Sequence, residues 1–97
     1  MPAYVVLNVT VRDREAYDRY KQLASQSVAL YGGRYLVRGG ATETLEGGWH
    51  PTRFVILEFA TVEWGRAWWT SPEYGPAKAL RQSCADTEMV LVEGVPG

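Results

Sequence analysis

Residues 31–59, YGGRYLVRGGATETLEGGWHPTRFVILEF, decide how this chain folds. Residues 34–38 and 53–59 are rich in β-branched and aromatic types and read as two strands, while Gly39, Gly40, Gly47 and Gly48 punctuate the stretch between them. Strict alternation puts Tyr35 and Val37 on one face of the first strand and Arg34, Leu36 and Arg38 on the other. In the second strand Val55, Leu57 and Phe59 face one way, and Phe54, Ile56 and Glu58 the other. Gly39 and Gly40 mark a bend or bulge, residues 42–46 continue outward as an arm, and Gly47 and Gly48 turn it. Pro51, which has no N–H to donate, keeps the returning stretch at a sheet edge. Arg38 and Glu58 stand out on this reading, because both fall among Leu36, Phe54 and Ile56. An unpaired buried charge costs several kcal/mol, so each must find a partner, meet water in a cavity, or serve a ligand.

Outward from this stretch, residues 3–11 form a strand with Val5, Leu7 and Val9 opposite Tyr4, Val6 and Asn8. Asp13 caps a helix in which Ala16, Tyr17, Tyr20, Leu23, Ala24, Ser27 and Val28 recur at helical spacing. That helix ends near Leu30, with Gly32 or Gly33 in the left-handed conformation. Thr61 caps a short helix carrying Trp64, Ala67, Trp68 and Trp69. Pro72 interrupts it, and Ser71 caps a further piece whose inward stripe is Tyr74, Ala77, Leu80 or Arg81, and Cys84. The last strand, residues 87–93, sets Val90 and Val92 opposite Met89 and Leu91. The order predicts an α+β, ferredoxin-like βαββαβ sandwich, a four-stranded antiparallel sheet with two helices on one face. The helices leave one side of the sheet bare, yet Tyr4, Val6, Leu36, Phe54, Ile56, Met89 and Leu91 are expected to make that side apolar too. At about 25 cal/mol per Å² of apolar area, leaving it wet forgoes several kcal/mol, so a homodimer packed sheet to sheet is expected, with a cavity where the two faces fail to meet.

Composition narrows the function classes. The chain's 97 residues, 46% hydrophobic and 22% charged, fit one domain spanning residues 1–97. A formal net charge of -1 without a basic stripe speaks against nucleic acid and against a membrane surface as partners. The N-terminal stretch has no positive leader, and no apolar run approaches the ~20 residues that cross a bilayer, so a cytoplasmic address is expected. Cys84 and His50, alone of their kinds, build neither an internal disulfide nor a zinc cluster. The glycine pairs match no phosphate-cradling or dinucleotide-binding loop, and no metal or cofactor is expected.

The stretches YGGRYLVRGG, LEGGWHPTR, FVILEF, SPEY and VLVEG resemble, in this order, the small family catalogued as domain of unknown function 1330, and the resemblance covers nearly the whole chain. It implies the dimeric α+β barrel superfamily, which includes cofactor-free monooxygenases, stress-response barrel proteins and muconolactone isomerase-like enzymes. The chain departs from the family's usual pattern at Ala60, Thr61, Gly65 and Trp69, which bears on the shape of a nearby pocket.

Asn8, Arg38 and Glu58 are expected on the sheet face that the second copy covers, with Tyr4, Leu36, Phe54 and Ile56 around them. There Arg38 would orient a carboxylate or enolate and Glu58 would move a proton if desolvation raised its pKa, with Asn8 and His50 assisting. Trp68 and Tyr74 read as core anchors that also line the pocket, and Arg34 and Arg53 as strand-end charges that draw anions to its opening. Two functions follow: a cofactor-independent, monooxygenase- or isomerase-like enzyme acting on a small organic anion, or a non-catalytic ligand-binding or stress-related module in which Arg38 and Glu58 pair across the core.

Overall fold

The computed structural model describes residues 1–96. Its elements run β1 (Ala3–Val11), α1 (Arg14–Leu30), β2 (Arg34–Arg38), β3 (Arg53–Phe59), α2 (Val62–Trp69), α3 (Gly75–Cys84) and β4 (Ala85–Glu93). The sheet is antiparallel with strand order β2-β3-β1-β4, and the helices cover one face. Local chemistry sets the helix ends as the sequence predicts. Asp13 accepts from the Ala16 N–H at 3.2 Å and Thr61 from Trp64 at 3.1 Å, whereas Ser71, expected to cap the last helix, accepts from Tyr74 at 3.1 Å in the turn before α3, whose N-cap Tyr74 makes no side-chain cap. Pro72 opens a turn, and α3 proper begins at Gly75. Gly32 takes the left-handed closing position, φ 73°.

The core lies between sheet and helices. Val5, Leu7, Val9, Val55, Leu57 and Phe59 meet Tyr17, Tyr20, Ala24 and Val28 of α1, Trp68 of α2, and Ala77 and Cys84 of α3. Trp68 and Tyr74 stack at 4.1 Å between centroids, and the Trp68 indole N–H donates to Ser27 Oγ at 3.1 Å. Burial pushes the Cys84 thiol pKa up, in keeping with a small apolar filler. The two long strands are zipped together at both ends. Arg12 and Asp13 donate to the Cys84 carbonyl at 2.8 and 3.1 Å, and Gly94 donates to Pro2 at 2.7 Å.

The structure revises three expectations. Met89 and Leu91 oppose Leu7 and Val5 and so lie on the helix side, whereas Val90 and Val92 oppose Val6 and Tyr4 on the open face, 61% and 47% exposed. Leu23, at the margin of the α1 stripe, is 41% exposed. Residues 42–46 run as an arm outside the sheet, without a ladder partner. Most consequential is β2, where Arg34 pairs with Glu58 and Tyr35 with Leu57, but Val37 pairs with Ile56 and Arg38 with Val55. Leu36 is an extra residue, a β-bulge, and it inverts the alternation for everything after it.

Gly33 joins α1 to β2 where the chain passes over the core. A Cβ there would stand 2.6 Å from Phe59 Cε1 and 2.9 Å from Val28 Cγ1, both buried and unable to yield. We therefore expect Gly33→Ala to cost about 1–3 kcal/mol in chemical denaturation, while Gly48→Ala, in open space, stays within about 0.5 kcal/mol of the parent.

Candidate functional site

The bulge splits the polar residues that the sequence places together. On the open face Glu58 lies beside Tyr4 and Arg34, accepting from Arg34 Nε at 2.6 Å. Glu58 and Arg38 form no pair; Arg38 has moved to the helix side. Asn8 fastens the arm, its Oδ1 accepting from the Thr52 N–H at 2.9 Å. His50 sits in the arm against the Thr44 hydroxyl at 3.1 Å, and Trp49 lies edge-on to Phe54 at 5.7 Å. The arm borders one corner of this face, where an open pocket of about 160 Å³ lies between Trp49, Phe54, Val6 and Glu88. Leu36 is half exposed, and Ile56 lies between Val6 and Val37. Trp68 and Tyr74 belong to the other side of the sheet.

A second constellation assembles between α1 and the β2–β3 end of the sheet. Arg38 Nη2 donates to Ser25 Oγ at 2.7 Å and to the Lys21 carbonyl at 3.2 Å, and its guanidinium stacks 4.1 Å above the Tyr35 ring. Arg53, opposite Val9, lies over Tyr17 at 5.5 Å. Its Nε is buried without a hydrogen-bond partner among the described residues. Gly39, φ 74°, supports it from behind: a Cβ there would lie 2.9 Å from Arg53 Cζ, so only glycine lets the guanidinium settle against the backbone. Neither arginine has a carboxylate within salt-bridge distance among the described residues; the nearby Asp18 is taken by Lys21 at 3.1 Å.

These two arginines, with Tyr17, Tyr20, Tyr35 and Trp68, border a cavity of about 20 Å³, room for one water. Wider grooves of about 580 and 960 Å³ lie outside it, each bordered by Lys21 and Arg53. Burial raises the Tyr17 pKa above the ordinary phenol value, although Arg53 beside it works in the opposite sense. Burial, followed by the neighbouring Tyr74, raises Tyr20 much further. Sequence periodicity casts Tyr17 and Tyr20 as core and leaves Lys21 and Ser25 unremarked. The signal available was an arginine, Arg53, opening a strand whose next residues are all apolar.

Element order, antiparallel 2-3-1-4 sheet and one-sided helical cover make this a ferredoxin-like α+β protein. Residues 2–95 match the family described as domain of unknown function (DUF1330), and the chain belongs to that family. Among solved structures it is similar to a protein of unknown function from Rhodopseudomonas palustris, with 20% identity, a TM-score of 0.80, and cover of 99% of this chain and 84% of that one. A dimeric ferredoxin-like protein of unknown function from Jannaschia sp. CCS1 matches at 14% identity and TM-score 0.67, over 97% of this chain and 100% of that one. SnoaB, a cofactor-independent oxygenase from Streptomyces nogalater, matches at 13% identity and TM-score 0.57, over 99% and 95% respectively. At such identities the likeness establishes the fold. No curated protein matches the sequence.

Both tyrosines carry a pH consequence. Their folded pKa values lie above the ordinary 10.0, so their contribution to stability is complete below that pH and is lost as the pH rises beyond it, when the unfolded chain ionises and the folded one resists. In an absorbance titration at the phenolate band, Tyr17 and Tyr20 should ionise at higher pH than the exposed tyrosines of the chain.

Proposed function

We propose that this protein is a homodimer, one domain per subunit, that binds a small organic anion in the cleft between α1 and the β2–β3 end of the sheet. The observation that carries the reading is the pair Arg38 and Arg53: two guanidinium groups on one cleft, set against Tyr35, Tyr17, Ser25 and Gly39, with no carboxylate within salt-bridge distance of either among the described residues and Asp18, on the same groove, engaged by Lys21. Fixed arginines recognise a carboxylate through paired charge-assisted hydrogen bonds, and holding them in advance lowers the entropy lost on binding. The cleft supplies cations and phenols, which hold and orient. Glu58, the carboxylate expected to move a proton, lies across the sheet in a salt bridge, which favours binding over proton transfer at that residue. Cofactor-free oxygenation remains a property of the Streptomyces relative, and the described residues favour the ligand-binding reading of this chain.

The dimer rests on the open face. Tyr4, Val6, Phe54 and Ile56 are partly exposed there beside the more open Val90 and Val92, and Trp49 shields only the Phe54 corner. A second copy laid on this face removes the remainder from water, and the Jannaschia relative is described as dimeric. Among the described residues no helix is long and apolar enough to cross a membrane.

Two measurements test the reading. Calorimetric titration with butyrate should show binding that the Arg38→Gln/Arg53→Gln double variant weakens at least about tenfold with little change in melting temperature; equal affinity would remove the anion site. In sedimentation velocity the parent should run as a dimer and Val90→Glu as a folded monomer, because the substitution brings two like charges into a dry interface. A monomeric parent overturns the assembly.

A further inference from the structure

On the open face, at the corner that the arm borders, one acid stands without a partner. Asp86 pairs with Arg12 at 3.3 Å and Glu58 with Arg34 at 2.6 Å, but Glu88 has no cation within salt-bridge distance among the described residues. Register puts Glu88 beside Asn8 and Asn8 beside Phe54, with Val6 and Val90 in the next row of the same face. Side chains two positions apart leave the same face of a strand, so these five project to one side of the sheet. There they line the open pocket of about 160 Å³, with Trp49 of the arm as a further wall. The Trp49 and Phe54 rings lie at 69° to one another, 5.7 Å between centroids, and form two aromatic sides of a corner. Asn8 Oδ1 is committed to the Thr52 N–H, so Glu88 supplies the pocket's charge alone.

From the juxtaposition of Trp49, Phe54 and Glu88 we infer that this corner is a second binding site, for a small organic cation such as a quaternary ammonium group. Aromatic faces carry negative potential and attract a cation within about 6 Å of the ring centre, and the carboxylate beside them adds a full charge. Other ligand classes fit less well. A metal ion takes several oxygen ligands, and the pocket offers one carboxylate. A neutral apolar molecule would strip water from Glu88 and return nothing. An ammonium carrying methyl groups meets Val6 and Val90 with its carbons and Glu88 with its charge. The volume is room for several waters or one compact head group. One chain builds the whole pocket, on the other side of the sheet from Arg38 and Arg53, so the inference stands apart from both the anion cleft and the second copy.

The test is calorimetry on the full chain with choline chloride, set against 3,3-dimethyl-1-butanol, which has the same shape with carbon in place of the charged nitrogen. The parent should bind choline at least about fivefold more tightly than the alcohol. Glu88→Gln and Trp49→Leu should each weaken choline about three- to fivefold, and Glu88→Gln should leave the alcohol as it was. Both side chains are exposed, so neither variant disturbs the core. The Arg38→Gln/Arg53→Gln double variant should bind choline as the parent does. Equal affinity of the parent for choline and the alcohol overturns the inference, as does a parent that binds no choline; both comparisons need no variant to fold. Choline affinity that Glu88→Gln leaves unmoved, or that falls with the arginine pair, overturns it too, because the cation would then sit elsewhere.

Discussion

One extra residue in β2 governs the chemistry of this protein. Leu36 has no opposite number on β3, so Arg34 and Arg38, which uniform alternation would put on the same face, end on opposite sides of the sheet. Arg34 meets Glu58 on the open side, and Arg38 meets Ser25 and Tyr35 on the helix side. Without the bulge both guanidinium groups would crowd the open face and Arg53 would stand alone beneath α1. With it, the positive charges divide between an ion pair on one side and an uncompensated pair on the other.

The two faces then do different work. Row by row the open side reads Arg34–Glu58–Tyr4–Val92, then Val37–Ile56–Val6–Val90, then Phe54–Asn8–Glu88. Its polar groups are largely answered within the chain, Glu58 by Arg34 and Asn8 by Thr52, which leaves an apolar surface suited to association. The helix side holds what is unanswered: the Nε of Arg53, and two arginines with no carboxylate within salt-bridge distance among the described residues. Unsatisfied polar groups are unfavourable for folding, and their concentration at one end of α1 is the mark of a surface shaped for something other than stability.

Much of the fold was legible in the sequence. Caps at Asp13 and Thr61 and the period-two pattern of residues 53–59 act over a few residues, so local chemistry sufficed to place them. The site was less legible because it depends on register. Gly39 and Gly40 announced an irregularity in β2, but the bulge falls at Leu36, before them, and a displacement of one position moved Arg38 across the sheet. Met89 and Leu91 exchanged faces with Val90 and Val92 for a related reason: all four are apolar, and an unbroken apolar run carries no period to fix its phase. Tyr17 and Tyr20 were recognisable as buried. That their hydroxyls lie beside Arg53 and Tyr74 is a matter of tertiary placement, which spacing along one helix does not encode.

The bond from Gly94 to Pro2 brings the two extremities of the described chain side by side, at the opposite end of β1 from Arg53. Six residue steps take β1 from Ala3 to Val9, about 20 Å of extended backbone. Whatever is appended at either extremity, an affinity tag, a fluorophore or a fused module, departs from a common corner remote from the arginine cleft. The architecture thus leaves the cleft free to admit solutes while the chain is tethered, immobilised or extended from behind.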